Sequence, residues 1–243
     1  MKLLGIIGGM SWTSTAEYYR LLNEEVAARL GGLHSARVLI HSVDFAEIAA
    51  QQRAGEWEAA GAVLAAAAQG LERAGAHGLL LATNTMHKVA PALEVATSLP
   101  LLHIADATAR AIRAAGLTHV GLLATAFTME QDFYRERLAQ HGITAIVPGT
   151  ADRAEIHRII YDELCHNVVL PASRSTYRRV MAELQTRGAQ GIILGCTEIT
   201  LLIGADDTPL PVFDTTRLHV RAAADFMLNA PQKTETQKGG AYG

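Results

Sequence analysis

Short apolar runs of β-strand type alternate with helical stretches along this chain. Most of these runs are continuous in Val, Ile and Leu, which is the pattern of strands covered by helices on both faces. The alternation predicts an α/β fold built on mainly parallel sheet. The predicted strands cover residues 2–7, 37–43, 78–83, 101–105, 119–125, 144–148, 191–195 and 210–214, and the predicted helices cover residues 13–30, 56–74, 128–141 and 174–187.

An internal repeat indicates how these elements are grouped. The segment "LERAGAHGLLLATN" (71–84) aligns without gaps with "LQTRGAQGIILGCT" (184–197), so that Thr83 corresponds to Cys196. A weaker match pairs residues 5–20 with residues 121–135. We interpret the repeat as two copies of one α/β unit, although unrelated strand–helix units can also resemble each other at this level.

We therefore predict two similar flavodoxin-like domains related by pseudo-two-fold symmetry, each with a mainly parallel sheet flanked by helices. The first is predicted to comprise residues 1–103 plus 215–229, and the second residues 104–214. The polar, Gly-rich segment 230–243 is predicted to be disordered.

Composition excludes several classes of partner. The formal net charge is -3, with 21 basic and 24 acidic residues spread along the chain, which indicates neither a nucleic-acid nor an anionic membrane surface. No apolar run approaches the roughly 20 residues of a membrane span, and the first residues lack the features of a signal peptide. We expect a cytoplasmic protein without a metal, because the histidines and the two cysteines show no metal-ligand spacing.

The polar residues that follow the predicted strands point to a binding site. Ligands of open parallel sheets bind beyond the carboxyl ends of the strands, so two facing domains would place Thr83 and Cys196 on opposite sides of one cleft. Backbone amides at the turn around Cys196 are expected to lower the thiol pKa. The alternative is that Cys196 is a buried, inert cysteine. For Cys165 we expect an unreactive residue near a helix end.

Other short polar groups at strand ends suit a small ligand. The "GGMS" turn, which includes Met10, fits no nucleotide motif and is better suited to a small anion such as a carboxylate. Asn84, Thr85 and Thr125 are placed to hold a carboxylate or an ammonium group. Their alternative role is ordinary capping of helix N-termini.

The motifs "GGMSW", "TNTMHK" and "GCTEI" together resemble those of the aspartate/glutamate racemase family, over residues 1–229. The similarity is greatest to the branch of broad-specificity amino-acid racemases and L-aspartate/L-glutamate racemases. It implies two α/β domains with a site between them, no cofactor, an amino acid as substrate, and a homodimer. In this family two residues on opposite faces of the substrate exchange the α-proton.

The resemblance also assigns roles to individual residues. It implies that Cys196 and Thr83 are the catalytic pair, with Thr83 standing where most of the family has a cysteine and Ala82 offering no replacement. A hydroxyl is a poor base near neutral pH, so we expect Cys196 to deprotonate the L-substrate and the Thr83 side to return a proton, directly, through water or through His87. The implied substrate-binding residues are Met10, Gln52, Arg53, Asn84, Thr85, Thr125, Thr197 and Glu198.

Substrate specificity stays open at this level. Arg53 could pair with a distal carboxylate, and Glu198 could orient the thiol or bind the substrate ammonium. The segment His166–Asn167–Val168 lacks the basic residue that acid-specific relatives carry there, so a wider range of substrate side chains is possible. The competing functions are an amino-acid-binding protein with little turnover, and a related decarboxylase or isomerase that uses one cysteine.

Overall fold

The computed structural model describes residues 1–229 and contains two four-stranded parallel sheets. All eight predicted strands are confirmed as strands, and the segment 230–243 that was predicted to be disordered lies outside the described residues. The strands are β1 Leu4–Gly8, β2 Val38–Ser42, β3 Gly78–Leu81, β4 Leu101–Leu102, β5 His119–Leu123, β6 Thr144–Ile146, β7 Ile192–Leu194 and β8 Val212–Asp214. The fold is therefore α/β, as predicted.

Helices connect the strands and cover both sheets. Within residues 1–229, no helix combines the length and the apolarity needed to cross a membrane. The α-helices are α1 Trp12–Leu30, α2 Phe45–Ala54, α3 Trp57–Arg73, α4 Ala90–Ala96, α5 Ile104–Ala114, α6 Ala126–Glu130, α7 Asp132–Ala139, α8 Thr150–Arg158, α9 Pro171–Thr186, α10 Ile199–Leu202 and α11 Thr215–Leu228. Short 3₁₀ helices span Thr85–Val89, Leu164–His166 and Ala205–Asp207, and a π-helix spans Ile159–Glu163.

Most predicted elements differ by a few residues at their ends, and two differ more. The strand predicted over residues 101–105 is shorter, because His103 caps the N-terminus of α5 by accepting a hydrogen bond from the Ala105 amide at 3.2 Å. The single helix predicted over residues 128–141 is divided at Gln131, whose backbone is extended with φ −89° and ψ 149°.

The two sheets have equivalent strand orders, β2-β1-β3-β4 and β6-β5-β7-β8. Equivalent glycines lie at equivalent close contacts: a Cβ at Gly5 would lie 3.1 Å from the Cβ of Leu71, and a Cβ at Gly121 would lie 3.3 Å from that of Leu184. Leu71 and Leu184 are aligned in the sequence repeat. The repeat therefore describes two copies of the same packing arrangement.

The helices that follow β4 and β8 pack on opposite sheets. Ile104 and Ile112 of α5 join the core cluster of the second sheet, which includes Val120 of β5. Val220 of α11 instead joins a cluster with Ile6 of β1 on the first sheet. The two halves are linked by these exchanged helices, while the predicted domain boundaries at 103/104 and 214/215 stay a prediction.

Candidate active site

The carboxyl ends of four central strands meet at one cleft between the two sheets. Met10, Thr83, Thr125 and Cys196 follow β1, β3, β5 and β7 in the sequence, and all four line this cleft. The cavity volume of the cleft is about 60 Å³. Parallel strands bring such residues together because all of them end at the same edge of a sheet.

The structure brings together most of the site residues expected from sequence. Arg53 is the exception: it is exposed near the end of α2 and is not among the residues that line the cleft. Burial raises the pKa of the lining residue Tyr161 to about 12, and the charge of Arg53 opposes this shift. The expected residues that do line the cleft are Met10, Gln52, Thr83, Asn84, Thr85, Thr125, Cys196, Thr197 and Glu198.

Cys196 lies in the turn between β7 and α10. Its thiol donates a hydrogen bond to Oε2 of Glu198 at 2.9 Å. Desolvation of the thiolate, followed by the charge of Glu198, raises the pKa of Cys196 well above its usual value. The expectation that this turn would lower the pKa is wrong for the unliganded protein, because burial and the adjacent carboxylate outweigh the backbone amides.

The opposite side of the cleft is formed by the turn after β3. Thr83 is partly buried, and its carbonyl accepts a hydrogen bond from Nδ1 of His87 at 2.7 Å. The other ring nitrogen of His87, Nε2, accepts one from the Ile104 amide at 3.2 Å. Both nitrogens are occupied by backbone groups, so His87 supports the Thr83 turn and is not placed to relay a proton.

Hydroxyl groups join the two halves of the cleft. Ser14 and Thr197 are hydrogen-bonded at 2.8 Å, and Thr85 and Thr125 at 3.1 Å. In each pair, one residue follows a strand of the first sheet and the other follows a strand of the second. The alternative role of capping is not observed at Asn84 or Thr125, because neither side chain makes a capping hydrogen bond to the helix that follows it. Both residues line the cleft instead.

Asn84 carries a buried acceptor without a protein partner. Its Nδ2 donates to the hydroxyl of Thr215 at 3.1 Å, and that hydroxyl donates to the Leu194 carbonyl at 2.9 Å. Within residues 1–229, no group donates a hydrogen bond to Oδ1 of Asn84. Because an unpaired buried oxygen is costly, a ligand that supplies an N–H donor there would gain a favourable contact.

Sequence reasoning missed several residues of the cleft. The π-helix Ile159–Glu163 and the 3₁₀ turn after it bring Ile160, Tyr161 and Cys165 to the lining. Ser11, which caps α1, also lines the cleft, as do Ser14 of α1 and Phe45 of α2. The one sequence signal for these missed residues was the second cysteine, Cys165, which is predicted from sequence to be unreactive. Its thiol is neutral, since desolvation and the charge of Glu198 raise its pKa to about 12.

Comparison with known proteins links this chain to one protein family. A family model described as Asp/Glu/Hydantoin racemase matches residues 7–223 of the chain. A protein from Yersinia pestis that is provisionally assigned as an Asp/Glu racemase is 55% identical, with a TM-score of 0.90 over 94% of this chain and 100% of its own.

More distant structures share the fold. An aspartate racemase homologue from Pyrococcus horikoshii is 33% identical, with a TM-score of 0.83 over 93% of this chain and 99% of its own. The aspartate racemase of Picrophilus torridus is 21% identical, with a TM-score of 0.72 over 92% of this chain and 94% of its own. At that identity the likeness concerns the fold alone.

Proposed function

Because this chain belongs to the Asp/Glu/Hydantoin racemase family, we propose that it is an amino-acid racemase that works without a cofactor. The main support for this proposal is that Cys196 and Thr83 line the same cleft. These two residues occupy equivalent positions of the sequence repeat. The expected substrates are aspartate, glutamate or a broader set of amino acids. A homodimer in the cytoplasm stays a prediction.

The Cys196 side would remove the α-proton of the L-enantiomer. In the unliganded protein this residue is a neutral thiol hydrogen-bonded to Glu198. Transfer of the thiol proton to the Glu198 carboxylate leaves a thiolate, which is a competent base near neutral pH. The substrate α-proton then passes to sulfur, and the electron pair remains on the α-carbon as a carbanion.

The Thr83 side would return a proton from the opposite face. Its hydroxyl donates that proton to the carbanion, either directly or through a water molecule. Thr83 then regains a proton from solvent, and Glu198 releases to solvent the proton that it took from the thiol. In the reverse direction this side must remove a proton, and a hydroxyl is a weak base for that step. The two faces are therefore chemically unequal.

Polar groups of the cleft would hold the amino-acid backbone. The hydroxyls of Thr85, Thr125 and Thr197 are available for the α-carboxylate. The unpaired Oδ1 of Asn84 is an acceptor for the α-ammonium group. Holding both groups fixes the α-carbon between the two catalytic side chains, which is how an enzyme gains rate from positioning.

Isotope exchange in deuterated water tests this proposal. The equilibrium constant of racemisation is one, so kcat/KM is equal for both enantiomers. A difference between the Cys196 and Thr83 sides can therefore be measured only as a difference in the exchange of the α-proton with solvent. We expect the L-enantiomer to gain deuterium without inversion faster than it inverts, because the Cys196 thiol exchanges the abstracted proton with solvent and then returns a deuteron to the same face of the carbanion. Equal rates of deuterium exchange with retention of configuration in both enantiomers would contradict the one-sided mechanism. The control is Cys196→Ser, which should lose all exchange.

A second candidate function is an amino-acid-binding protein with little turnover. It is favoured by the raised pKa of Cys196, which keeps the thiol protonated in the unliganded state. Tight binding of an amino acid, together with no α-proton exchange over hours at high protein concentration, would select this function. Measurable exchange that disappears in Cys196→Ser would exclude it.

A further inference from the structure

One edge of the first sheet lacks the protection that the other sheet edges have. Each sheet has two edge strands, β2 and β4 in the first and β6 and β8 in the second. The strands β4, β6 and β8 span only two or three residues. Each of them also lies within two residues of a proline, which is Pro100, Pro148 or Pro211. Short strands and nearby prolines prevent a sheet edge from pairing with another chain.

Strand β2 has neither form of protection. It is five residues long, and the segment 37–44 contains no proline and no lysine. The neighbouring strand β1 is buried throughout, whereas Ile40, His41 and Ser42 of β2 are exposed. An exposed edge strand of this length is a template for pairing with another strand.

The backbone groups of β2 alternate between the neighbouring strand and the free edge. The Arg37 carbonyl accepts a hydrogen bond from the Leu4 amide, and the Val43 amide donates one to the Gly8 carbonyl, both at 3.0 Å, so the odd-numbered residues bond to β1. In a parallel ladder the residues between them direct their N–H and C=O groups to the other side. Within residues 1–229, no strand lies beside β2 on that side. The residues with outward backbone groups are Val38, Ile40 and Ser42.

This edge is complementary to itself. When two copies of β2 run antiparallel about a two-fold axis at Ile40, the outward groups of one copy face those of the other, and each facing pair exchanges both of its hydrogen bonds. Ile40 then lies against Ile40 of the second copy, which covers a side chain that is 42% exposed in the single chain. A pairing displaced by one residue would place outward groups opposite inward ones and would lose these bonds.

The charges at the two ends of β2 are also complementary in this arrangement. Arg37 precedes the strand and Asp44 follows it, and both side chains are exposed. Antiparallel pairing brings Arg37 of one copy next to Asp44 of the other, and the two-fold axis makes this contact twice. A parallel pairing would instead bring like charges together at both ends, which is unfavourable.

We propose that this protein forms a homodimer through β2, in which the four-stranded first sheets of two copies join into one continuous sheet across a two-fold axis at Ile40. The partner at this edge is a second copy of the chain, because one segment supplies both the facing backbone groups and the opposite charges. The assignment of this surface does not depend on the proposed racemase function.

Light scattering coupled to size-exclusion chromatography of the full chain tests the inference. We expect the wild type to be dimeric at micromolar concentration, and Ile40→Lys, which places like charges at the axis, to raise the Kd of the dimer by about 100-fold or more. The control Val95→Lys replaces another exposed β-branched residue, on α4, and should stay dimeric. A wild type that is monomeric at all micromolar concentrations, or a folded Ile40→Lys with the wild-type Kd, would overturn the inference.

Charge variants carry the test if Ile40→Lys does not fold. Arg37→Glu changes an exposed side chain and is expected to raise the Kd about tenfold, because it places a carboxylate beside Asp44 of the second copy. Adding Asp44→Asn, which keeps a side chain able to cap α2, should remove most of that increase. An unchanged Kd in Arg37→Glu would count against the antiparallel pairing and overturn the inference.

Amide hydrogen exchange locates the interface. We expect the outward amides of Val38, Ile40 and Ser42 to exchange about tenfold or more slowly in the dimer than in the diluted monomer, because pairing protects them. The amides of β6, the equivalent edge strand of the second sheet, should exchange equally in both. A dimer in which the β2 amides gain no protection would meet its partner at another surface, and the inference would be wrong.

Discussion

The thiol of Cys196 donates a hydrogen bond to Oε2 of Glu198 at 2.9 Å, two residues further along the same turn. The other carboxylate oxygen of Glu198 accepts a hydrogen bond from Ser11 at 3.2 Å, across the cleft. The carboxylate is therefore held between the two halves of the protein, where it adds to the effect of burial in raising the pKa of the Cys196 thiol.

Glu198→Gln should separate the charge of this residue from its shape. We expect the pKa of Cys196 to fall, because the carboxylate charge and its hydrogen bond both raise it. Racemisation should nevertheless decrease by about 100-fold, a typical contribution of a positioned acid–base group.

The measurement for this variant is the pH dependence of iodoacetamide alkylation in a Cys165→Ser background, so that one cysteine remains. Racemisation is assayed in parallel. An unchanged alkylation profile would show that Glu198 does not set the pKa of the thiol. Unchanged racemisation would show that Glu198 does not accept its proton.

Thr83→Cys should make the two faces of the site more alike. A thiol at this position can act as a base toward the D-enantiomer, which a hydroxyl does poorly. We expect deuterium exchange with retention to become measurable for the D-enantiomer, with an increase of about tenfold or more. Thr83→Val is the control that keeps the side-chain shape without a hydroxyl, and it should lower racemisation; full activity in Thr83→Val would exclude a role for the hydroxyl.

Thr215→Val should weaken the support of Asn84. The buried Thr215 hydroxyl accepts from Asn84 and donates to the Leu194 carbonyl, so the substitution leaves both of these partners unpaired. We expect a loss of about 1–3 kcal/mol in the free energy of unfolding and a higher KM, measured by denaturant titration and by steady-state kinetics. Thr215→Ser retains the hydroxyl and should restore KM; a raised KM in that variant would point to packing instead.

Acid should destabilise the protein through a cluster of buried histidines. Burial lowers the pKa of His103 to about 4 and that of His219 to about 3, and it lowers the pKa of His87 well below its usual value. The unfolded chain therefore binds more protons than the folded one below pH of about 6.5. Stability should be greatest above that pH and should decrease by up to about 1.4 kcal/mol per pH unit for each histidine as the pH falls toward its folded pKa.

His219→Gln should reduce this pH dependence. The histidine Nε2 donates to the Leu102 carbonyl at 2.6 Å and Nδ1 accepts from the Tyr18 hydroxyl at 3.0 Å, and a glutamine can make similar bonds without titrating. Thermal unfolding between pH 4 and pH 8 measures the slope, with the exposed His34→Gln as the control. An identical slope for His219→Gln and the wild type would exclude His219 from the acid response.

The fold was largely predictable because its signals are local or repeated. Continuous apolar runs identify strands covered on both faces, and the gapless repeat aligns Thr83 with Cys196 before any coordinates are known. The rule that parallel strands present ligand sites at their carboxyl ends then places both residues in one cleft. Both residues do line it.

Other features of the site depend on contacts between distant segments. The π-helix that contains Tyr161 carries no local sequence signal, so its place in the lining was not expected. Arg53 follows Gln52 in the sequence, yet on helix α2 the two side chains differ in direction: Gln52 is buried at the cleft and Arg53 is exposed. Adjacent residues of a helix point about 100° apart, and packing decides which of them faces the site.

The sequence alone determined the α/β class, the internal duplication and the chemical difference between Thr83 and Cys196, because these follow from residue type, periodicity and repetition. The tertiary structure decided the protonation state of the thiol. A cysteine in a strand-to-helix turn can have a lowered or a raised pKa, depending on burial and on the charges that face it. Here the enclosed cleft and the Glu198 carboxylate raise it, since the energy of a charge depends on the whole of its three-dimensional surroundings.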